Sequence, residues 1–370
     1  MPEPPDSPSN AGRTRLEALR AKLGPGGVDA LIVSRIENIR YLSGFTGSTA
    51  ALAITPREAI LVTDSRYAEQ AAAESPSFGI EVAPGVAPVL AARTAFRLGS
   101  RAIGFEADGV SYDLWESMRG AAADGPEAVL VPCRGLVEGL RITKSPSELE
   151  LLQKAVSITS SAFEQMLGLV RPGAVERDLA LEIEFRMKQA GAEELSFDLI
   201  VASGPRSSLP HGRASERVVG PGEFIVFDIG ARFRGYHSDM TRTVFVGRPG
   251  PDDRAIYETV LRAQLLGIES VRPGALCKDV DGAARGCIEQ AGHGGRFGHG
   301  TGHGVGLCVH EAPRVGPLST EELAAGMVVT IEPGIYIPGA GGVRIEDMVV
   351  VTQDGHRVMT PTPKDTWILE

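Results

Sequence analysis

The chain has 370 residues, of which 43% are hydrophobic and 23% are charged, values typical of a globular protein with two domains or one large domain. Its formal net charge of −10 argues against binding to nucleic acid, and no run of about 18 apolar residues predicts a membrane span. The four cysteines are scattered and form no C-x-x-C motif, which is typical of reduced thiols in a cytoplasmic protein.

The first third of the chain alternates predicted strands and helices. Residues 1–12, rich in proline and serine, are predicted to be a disordered leader before a helix that starts near Thr14. Apolar segments such as VDALIVSR, EAILVTD and RAIGFE then alternate with helical segments, whereas IENIRYLSGFTGS is predicted to be a loop. This order predicts an α/β domain over residues 13–142, and no glycine-rich phosphate-binding motif follows any of its strands.

A helix start marks the predicted boundary to a second domain, residues 143–370. Ser145 is a good N-cap, Pro146 suits the first helical position, and Glu148 completes a capping box. The segment VRPGA occurs twice, at residues 170–174 and 271–275, each time between two predicted amphipathic helices. We therefore expect an α+β domain whose two halves are related by pseudo-twofold symmetry.

Five titratable residues lie in apolar, β-branched segments of this second domain: Asp228, Asp239, His303, Glu332 and Glu346. An isolated buried carboxylate is energetically costly, so a shared partner is expected for the group. Asp228 and Asp239 are predicted on one hairpin, and Glu332 and Glu346 on a second. A single acid at a strand end is more often solvated, but the five together suit two ions of manganese, cobalt, iron or zinc.

Histidines are concentrated near these acids, since six of the seven lie between His211 and His310. His299 and His303 occur in GHGTGHGVGL, whose glycines are predicted to let the backbone approach a bound group closely. Taken alone, His211 and His310 are better interpreted as ordinary surface histidines than as functional residues.

The motifs DIGARFRGYHSDMTRT, GTGHGVGLCVHEAP, TIEPGIYIPGAGGVRIED and LPHG resemble the pita-bread metallopeptidases, above all the Xaa-Pro aminopeptidases and Xaa-Pro dipeptidases. YLSGFTGS, LVTDSRY and LRITKSPSELE resemble the creatinase/prolidase N-terminal domain, so the resemblance covers nearly the whole chain. It implies an α/β N-terminal domain followed by an α+β pita-bread catalytic domain. Ala214 and His237 depart from residues common in the family, which affects expectations about the substrate but no ligand.

The resemblance also implies roles for individual residues. The five titratable residues named above would bind two divalent metal ions, foremost Mn²⁺, with Co²⁺, Zn²⁺ or Fe²⁺ as alternatives. Glu332 would also shuttle a proton, while His211 and His310 would hydrogen-bond the substrate carbonyl and the tetrahedral intermediate.

Three further residues are expected to bind substrate through the same resemblance. His299 would line the proline pocket, and Arg344 would hold Glu346 or Asp239 in place or meet a substrate carboxylate. Tyr41, in the predicted loop, would reach the substrate site of the other subunit in a homodimer.

The sequence therefore predicts a cytoplasmic Xaa-Pro aminopeptidase that hydrolyses short proline-containing peptides with two metal ions. An Xaa-Pro dipeptidase is the alternative, in which Arg206, Arg213 or an arginine of the other subunit meets the proline carboxylate. Methionine aminopeptidases share the five ligands but usually lack the N-terminal domain, and metal-free creatinase-like hydrolases usually lose the carboxylates. A catalytically silent pita-bread binding protein is a further alternative, although such proteins typically lose ligands.

Overall fold

The computed structural model describes residues 8–122 and 128–369. The chain divides into two compact units between Arg141 and Ile142, one residue before the predicted boundary. Residues 1–7 of the predicted leader lie outside the described residues, but the prediction of disorder is wrong for residues 8–12. These belong to the first helix, because Pro8 is compatible with a first helical turn.

Two predictions from composition can be compared directly with the described residues. Within residues 8–122 and 128–369, no helix is both long and apolar enough to cross a membrane. All four cysteines lie in these ranges and are free thiols, as their spacing indicated.

The N-terminal unit contains a central sheet flanked by helices. Its helices are α1 (Pro8–Leu23), α2 (Ile36–Ser43), α3 (Ala68–Glu74), α4 (Ala87–Arg97), α5 (Tyr112–Ala122) and α6 (Glu138–Arg141). Its strands are β1 (Ala30–Val33), β2 (Ala50–Ile54), β3 (Ala59–Thr63), β4 (Gly79–Val82), β5 (Ala102–Glu106) and β6 (Val129–Cys133). The sheet order is β4-β3-β2-β1-β5-β6, with antiparallel pairing in the middle and parallel pairing at both edges.

The segment predicted as a loop after β1 is instead the helix α2. The helix ends at Gly44, whose φ of 81° lies in the left-handed region and whose N–H donates to the carbonyl of Arg40 at 2.9 Å. Tyr41 is only 6% exposed, and its hydroxyl donates to the carbonyl of Leu140 at 3.0 Å. This burial does not favour the predicted reach of Tyr41 into another subunit, because the side chain is bonded within its own unit.

The C-terminal unit has four long helices: α7 (Pro146–Met166), α8 (Glu176–Gln189), α9 (Pro251–Glu269) and α10 (Cys277–Gln290). The strands before α10 are β7 (Glu194–Leu195), β8 (Ile200–Ser203), β9 (Glu223–Ile229), β10 (Ala231–Phe233), β11 (Tyr236–His237) and β12 (Met240–Val246). The strands after it are β13 (Gly302–Gly304), β14 (Glu311–Val315), β15 (Val328–Ile331), β16 (Gly334–Ile337), β17 (Gly341–Arg344), β18 (Asp347–Val351), β19 (His356–Val358) and β20 (Ile368–Leu369). The predicted capping box at Ser145 and Glu148 begins α7.

Each half of this unit covers a sheet with a pair of helices. In the first half, α7 and α8 bury Phe163 and Ile183 against Phe227 of the sheet β20-β12-β9-β8. In the second half, α9 and α10 bury Ile268 and Val280 against the sheet β14-β13-β15-β18-β19. The apolar faces predicted from helical spacing are therefore the faces that form the two cores.

The repeated VRPGA segment makes the same turn in both halves. Gly173 has a φ of 94° and donates to the carbonyl of Val219, while Gly274 has a φ of 82° and donates to the carbonyl of Leu323. The two hydrogen bonds measure 2.9 and 2.8 Å, and each turn leads directly into the second helix of its pair. Glycine accepts this left-handed backbone without strain, which explains why the segment recurs.

Candidate active site

The five predicted ligands come from the ends of strands in the two sheets of the C-terminal unit. Strands β9 and β12 pair so that Asp228 lies opposite Thr241, and Asp239 directly precedes β12. Strands β15 and β18 pair in the same way, with Glu332 directly after β15 and Glu346 directly before β18. The β16–β17 hairpin connects these last two positions, so the predicted pairing of carboxylates is confirmed.

The side chains converge on one point. His303 Nε2 lies 3.7 Å from a carboxylate oxygen of Asp239 and 3.6 Å from one of Glu332. One ligand atom each from Asp239, His303 and Glu346 lie within 4.8 Å of one another. Such separations leave room for a cation among the oxygens and the imidazole nitrogen.

His303 presents the correct nitrogen to this space. Its Nδ1 lies 3.1 Å from the carbonyl of Gly304 and therefore carries the proton, which leaves the Nε2 lone pair facing the carboxylates. Burial, with a smaller contribution from His310, lowers the pKa of His303 to about 4. The imidazole is neutral near pH 7, as metal ligation requires.

The carboxylates are held under strong mutual repulsion. Burial and the neighbouring acids raise the pKa of Glu346 to about 8, and they raise the pKa values of Asp239 and Glu332 well above the usual range. In addition, Oδ1 of Asp228 is buried without a hydrogen-bond partner among the residues that the structure describes. Buried anionic oxygens of this kind are the ligands that divalent cations prefer, so the residues fit the two predicted ions.

Arg344 is the main cation among these acids. Its Nη2 donates to Asp228 at 2.6 Å, and its Nε donates to the hydroxyl of Thr241 at 3.1 Å. Thr241 in turn donates to Oε2 of Glu346 at 2.7 Å. Arg344 therefore contacts Asp228 directly and reaches Glu346 through Thr241. Its expected roles, holding Glu346 or Asp239 in place or meeting a substrate carboxylate, stay predictions.

A second hydrogen-bonded chain connects Arg344 to His299. Arg344 Nη1 donates to the hydroxyl of Tyr336 at 2.8 Å, and this hydroxyl lies 2.8 Å from His299 Nε2. His299 Nδ1 lies 2.8 Å from the carbonyl of Gly300 and carries the proton, so Nε2 accepts from Tyr336. Burial and the charge of Arg344 lower the pKa of His299 to about 4, which keeps this ring neutral.

The remaining predicted residues line the same cleft, which has a volume of about 1590 Å³. His211 and His310 both line it, and the ring centroids of His303 and His310 are 4.4 Å apart. Burial lowers the pKa of His310, which also favours its neutral form. His299 lines the cleft, and its ring makes a T-shaped contact with Phe297 at 4.9 Å between ring centroids.

The sequence analysis missed three side chains at the site: Tyr336, Thr241 and Arg314. Tyr336 and Thr241 occur in the quoted motifs but were not singled out, since a tyrosine or threonine in a strand is usually a packing residue. Arg314 lines the cleft from β14, where it pairs in register with His303. No salt bridge to Arg314 occurs within the part of the chain that the structure describes.

The two glycines that flank His303 approach protein backbone closely, while the expectation that the segment lets backbone approach a bound group stays a prediction. A β-carbon on Gly302 would lie 1.9 Å from the carbonyl oxygen of Thr330. One on Gly304 would lie 2.1 Å from the carbonyl oxygen of Ala312. Glycine is required because β13 is pressed between two neighbouring chain segments, and this fixes the position of His303.

The fold and the acidic cleft together are those of a metallohydrolase, with a candidate metal site between two half-domains. Residues 150–353 match the model of metallopeptidase family M24, and residues 15–143 match that of the creatinase/prolidase N-terminal domain. The chain belongs to metallopeptidase family M24. Its fold is an α/β N-terminal domain followed by an α+β pita-bread catalytic domain, as the resemblance implied.

Individual relatives extend over nearly the whole chain. An uncharacterized peptidase of Bacillus subtilis is 43% identical over 355 residues, which cover 96% of this chain and 100% of the relative. The structure of an Xaa-Pro dipeptidase from Bacillus anthracis is 41% identical with a TM-score of 0.93, covering 97% of this chain and 100% of the other. The structure of an X-Pro aminopeptidase from Thermotoga maritima is 35% identical with a TM-score of 0.86, covering 95% and 99%.

Replacing Gly302 with alanine is expected to destabilise the C-terminal unit by about 1–3 kcal/mol, because the new methyl group overlaps the carbonyl oxygen of Thr330. Thermal and chemical unfolding measure the loss. Gly298→Ala is the matched control, since a β-carbon there meets no atom within 4 Å. Equal stability of the two variants would contradict the argument.

The metal-free protein is expected to lose stability as the pH rises. Glu346 has a pKa of about 8 in the folded protein against an ordinary value of 4.5, so the folded state binds more protons between these values and stability falls across this window. Thermal unfolding of metal-free protein from about pH 5 to about pH 9 tests this expectation. Excess Mn²⁺ and the variant Glu346→Gln should each weaken the dependence, and a melting temperature that rises with pH would refute it.

Proposed function

We propose that this protein is a dinuclear-metal-dependent exopeptidase that hydrolyses the Xaa-Pro bond at the N-terminus of peptides. The observation that carries the proposal is the convergence of four carboxylates and a neutral imidazole in one cleft, where a buried oxygen of Asp228 has no hydrogen-bond partner within residues 8–122 and 128–369. The proposed proline specificity is supported by relatives described as Xaa-Pro dipeptidase and X-Pro aminopeptidase. The complete ligand set argues against the alternative of a silent binding protein.

Asp228, Asp239, His303, Glu332 and Glu346 would hold the ions. When bound, two divalent cations supply Lewis acidity, which lowers the pKa of water and polarises the scissile carbonyl. Mn²⁺ is the proposed ion, because a site with mostly carboxylate oxygens and one imidazole suits a hard divalent metal.

The protein groups around the ligands provide proton transfer and orientation. Glu332, whose pKa is raised by burial and by Glu346, is a proton carrier that accepts a proton from water and donates it to the leaving amine. His211 and His310 line the cleft and would bind the substrate carbonyl. His299, fixed by Tyr336, would present the face of its ring to the proline.

One arginine in the cleft, Arg314, favours the second candidate, an Xaa-Pro dipeptidase. Arg206, one of the predicted carboxylate-binding residues, is instead bonded to the buried Glu176. Arg213 lines the cleft but forms an exposed salt bridge with Asp198 at 2.8 Å. Arg314 lies on the strand beside His303 and is the arginine best placed to meet the carboxylate of a dipeptide.

We also propose a cytoplasmic homodimer. The four free thiols support a reducing compartment. The dimer is supported by the resemblance to proline-specific relatives and by Leu181 and Phe185, which are 56% and 61% exposed one turn apart on α8.

Purified protein freed of metal is expected to be inactive and to regain cleavage of Xaa-Pro substrates with Mn²⁺. An Xaa-Pro dipeptide, an Xaa-Pro-Xaa tripeptide and a Met-Ala-Xaa peptide separate the alternatives. Cleavage of the tripeptide alone supports the aminopeptidase, and cleavage of the dipeptide alone supports the dipeptidase. Glu332→Gln should lower kcat by about 10²-fold or more, and full turnover in this variant would refute the role of Glu332.

If Arg314 meets a substrate carboxylate, Arg314→Ala should raise KM for an Xaa-Pro dipeptide by about 10-fold to 100-fold, the contribution of a hydrogen bond to a charged group. The same variant should cleave the dipeptide amide, which lacks the charge, with a nearly unchanged KM. Arg213→Ala is the matched comparison, because that guanidinium is already paired with Asp198. An equal effect of Arg314→Ala on both substrates would rule out recognition of the carboxylate.

A further inference from the structure

A buried ionic network lies directly behind the metal ligands and has no place in the mechanism above. We propose that Arg242, Asp347 and Lys364 position the backbone of the ligand Glu346 and couple metal affinity to the C-terminal strap, which we define as residues 360–369. The inference rests on the metal site of the proposed function. It assigns these three residues as positioning residues, since none of them lines the cleft.

Arg242 holds the two chain segments that carry the ligands. It is 2% exposed, and its Nη1 donates to the carbonyl of Thr241 at 2.9 Å and to the carbonyl of Glu346 at 2.6 Å. The side chains of Thr241 and Glu346 bond to each other at 2.7 Å. Because successive side chains of a strand alternate between faces, Arg242 fixes from behind the residues whose side chains form the site in front.

Asp347 completes the charge balance of this arrangement. It is fully buried, and its Oδ1 accepts from Nη2 of Arg242 at 2.7 Å. Its Oδ2 accepts from Lys364 at 2.6 Å and from Gln264 at 2.9 Å. A buried charge requires such partners, so removing any one of them disturbs the residue that immediately follows the ligand Glu346.

The C-terminal strap is bound to the same network. Arg242 donates to the carbonyls of Thr362 at 2.7 Å and Pro363 at 3.3 Å. Trp367 stacks on Tyr257 with 4.0 Å between ring centroids, and β20 pairs in parallel with β12. The last residues of the described chain therefore pair with β12, the strand that follows the ligand Asp239.

The geometry of the guanidinium explains why the network affects the metal and not only stability. In the planar guanidinium of Arg242, Nη1 donates to the carbonyls of Thr241 and Glu346, and Nη2 donates to the carboxylate of Asp347. These fixed hydrogen-bond directions set the distance between β12 and β18. Groups that orient metal ligands in this way typically contribute about 10-fold to 100-fold to metal affinity.

The test measures Mn²⁺ binding to the full-length, metal-free protein by calorimetry, independently of catalysis. Arg242→Lys and Asp347→Asn are expected to raise the Kd for Mn²⁺ by about 10-fold to 100-fold. The lysine variant keeps the charge, but a single ammonium group does not bridge Thr241, Glu346 and Asp347 together. If Arg242 only supplied a positive charge to the buried Asp347, the Arg242→Lys variant would bind Mn²⁺ with wild-type affinity.

A matched control separates positioning from general stability. Arg206→Lys alters another ion pair of the same unit, that of the partly exposed Arg206 with the buried Glu176, which lies outside the cleft. It is expected to lower the melting temperature and to leave the Kd for Mn²⁺ unchanged. Lys364→Met removes the ammonium contacts of the strap with Asp347 and Gln264 and leaves Arg242 unchanged. If the Arg242 and Asp347 variants do not fold, its expected rise in Kd of about 3-fold to 10-fold decides the question.

The outcomes distinguish this inference from the proposed function. Wild-type protein that binds no Mn²⁺ would overturn both. Wild-type protein that binds Mn²⁺, together with folded variants that bind it equally tightly, would overturn the positioning role and leave the proposed function standing. Weaker binding in the network variants but not in Arg206→Lys would support it.

Discussion

Four carboxylates share one buried space, and the free energy of keeping these charges close together and away from water is the constraint on which the site depends. Their mutual repulsion is visible in the raised pKa of Glu346, about 8, and in the direction of the shifts at Asp239 and Glu332. The salt bridge from Arg344 to Asp228 supplies one positive charge, which is too little to neutralise the four carboxylates. The surrounding protein is therefore organised to receive cations.

The duplicated architecture supplies the rigidity that such repulsion requires. Each half-domain packs two helices on a sheet, and the ligands stand where strands begin or end at the junction of the two sheets. Asp239, Glu332 and Glu346 each adjoin the last paired residue of a ladder, so their backbones are fixed while their side chains face the cleft. Short, well-ordered elements thus hold groups that would otherwise move apart.

Neutral groups around the ligands have fixed proton positions. His303 and His299 each direct Nδ1–H to the carbonyl of the following glycine, which assigns Nε2 as an acceptor or a ligand. The Tyr336 hydroxyl accepts a hydrogen bond from Arg344 and donates one to His299, so a single arginine orients both the acids and the proposed substrate pocket. Chains of this kind determine both tautomers and orientation.

The sequence by itself determined the helix pairs and the capping box and singled out the five candidate ligands, because local periodicity and acids within apolar strands are properties of neighbouring residues. It did not determine that IENIRYLS is helical, that Tyr41 is buried, or which acid Arg344 contacts. The contact of Thr241 with Glu346 joins residues 105 positions apart, and that of Arg344 with Asp228 joins residues 116 positions apart. Only the docking of the two half-domains decides such contacts, since no local pattern records the register between distant strands.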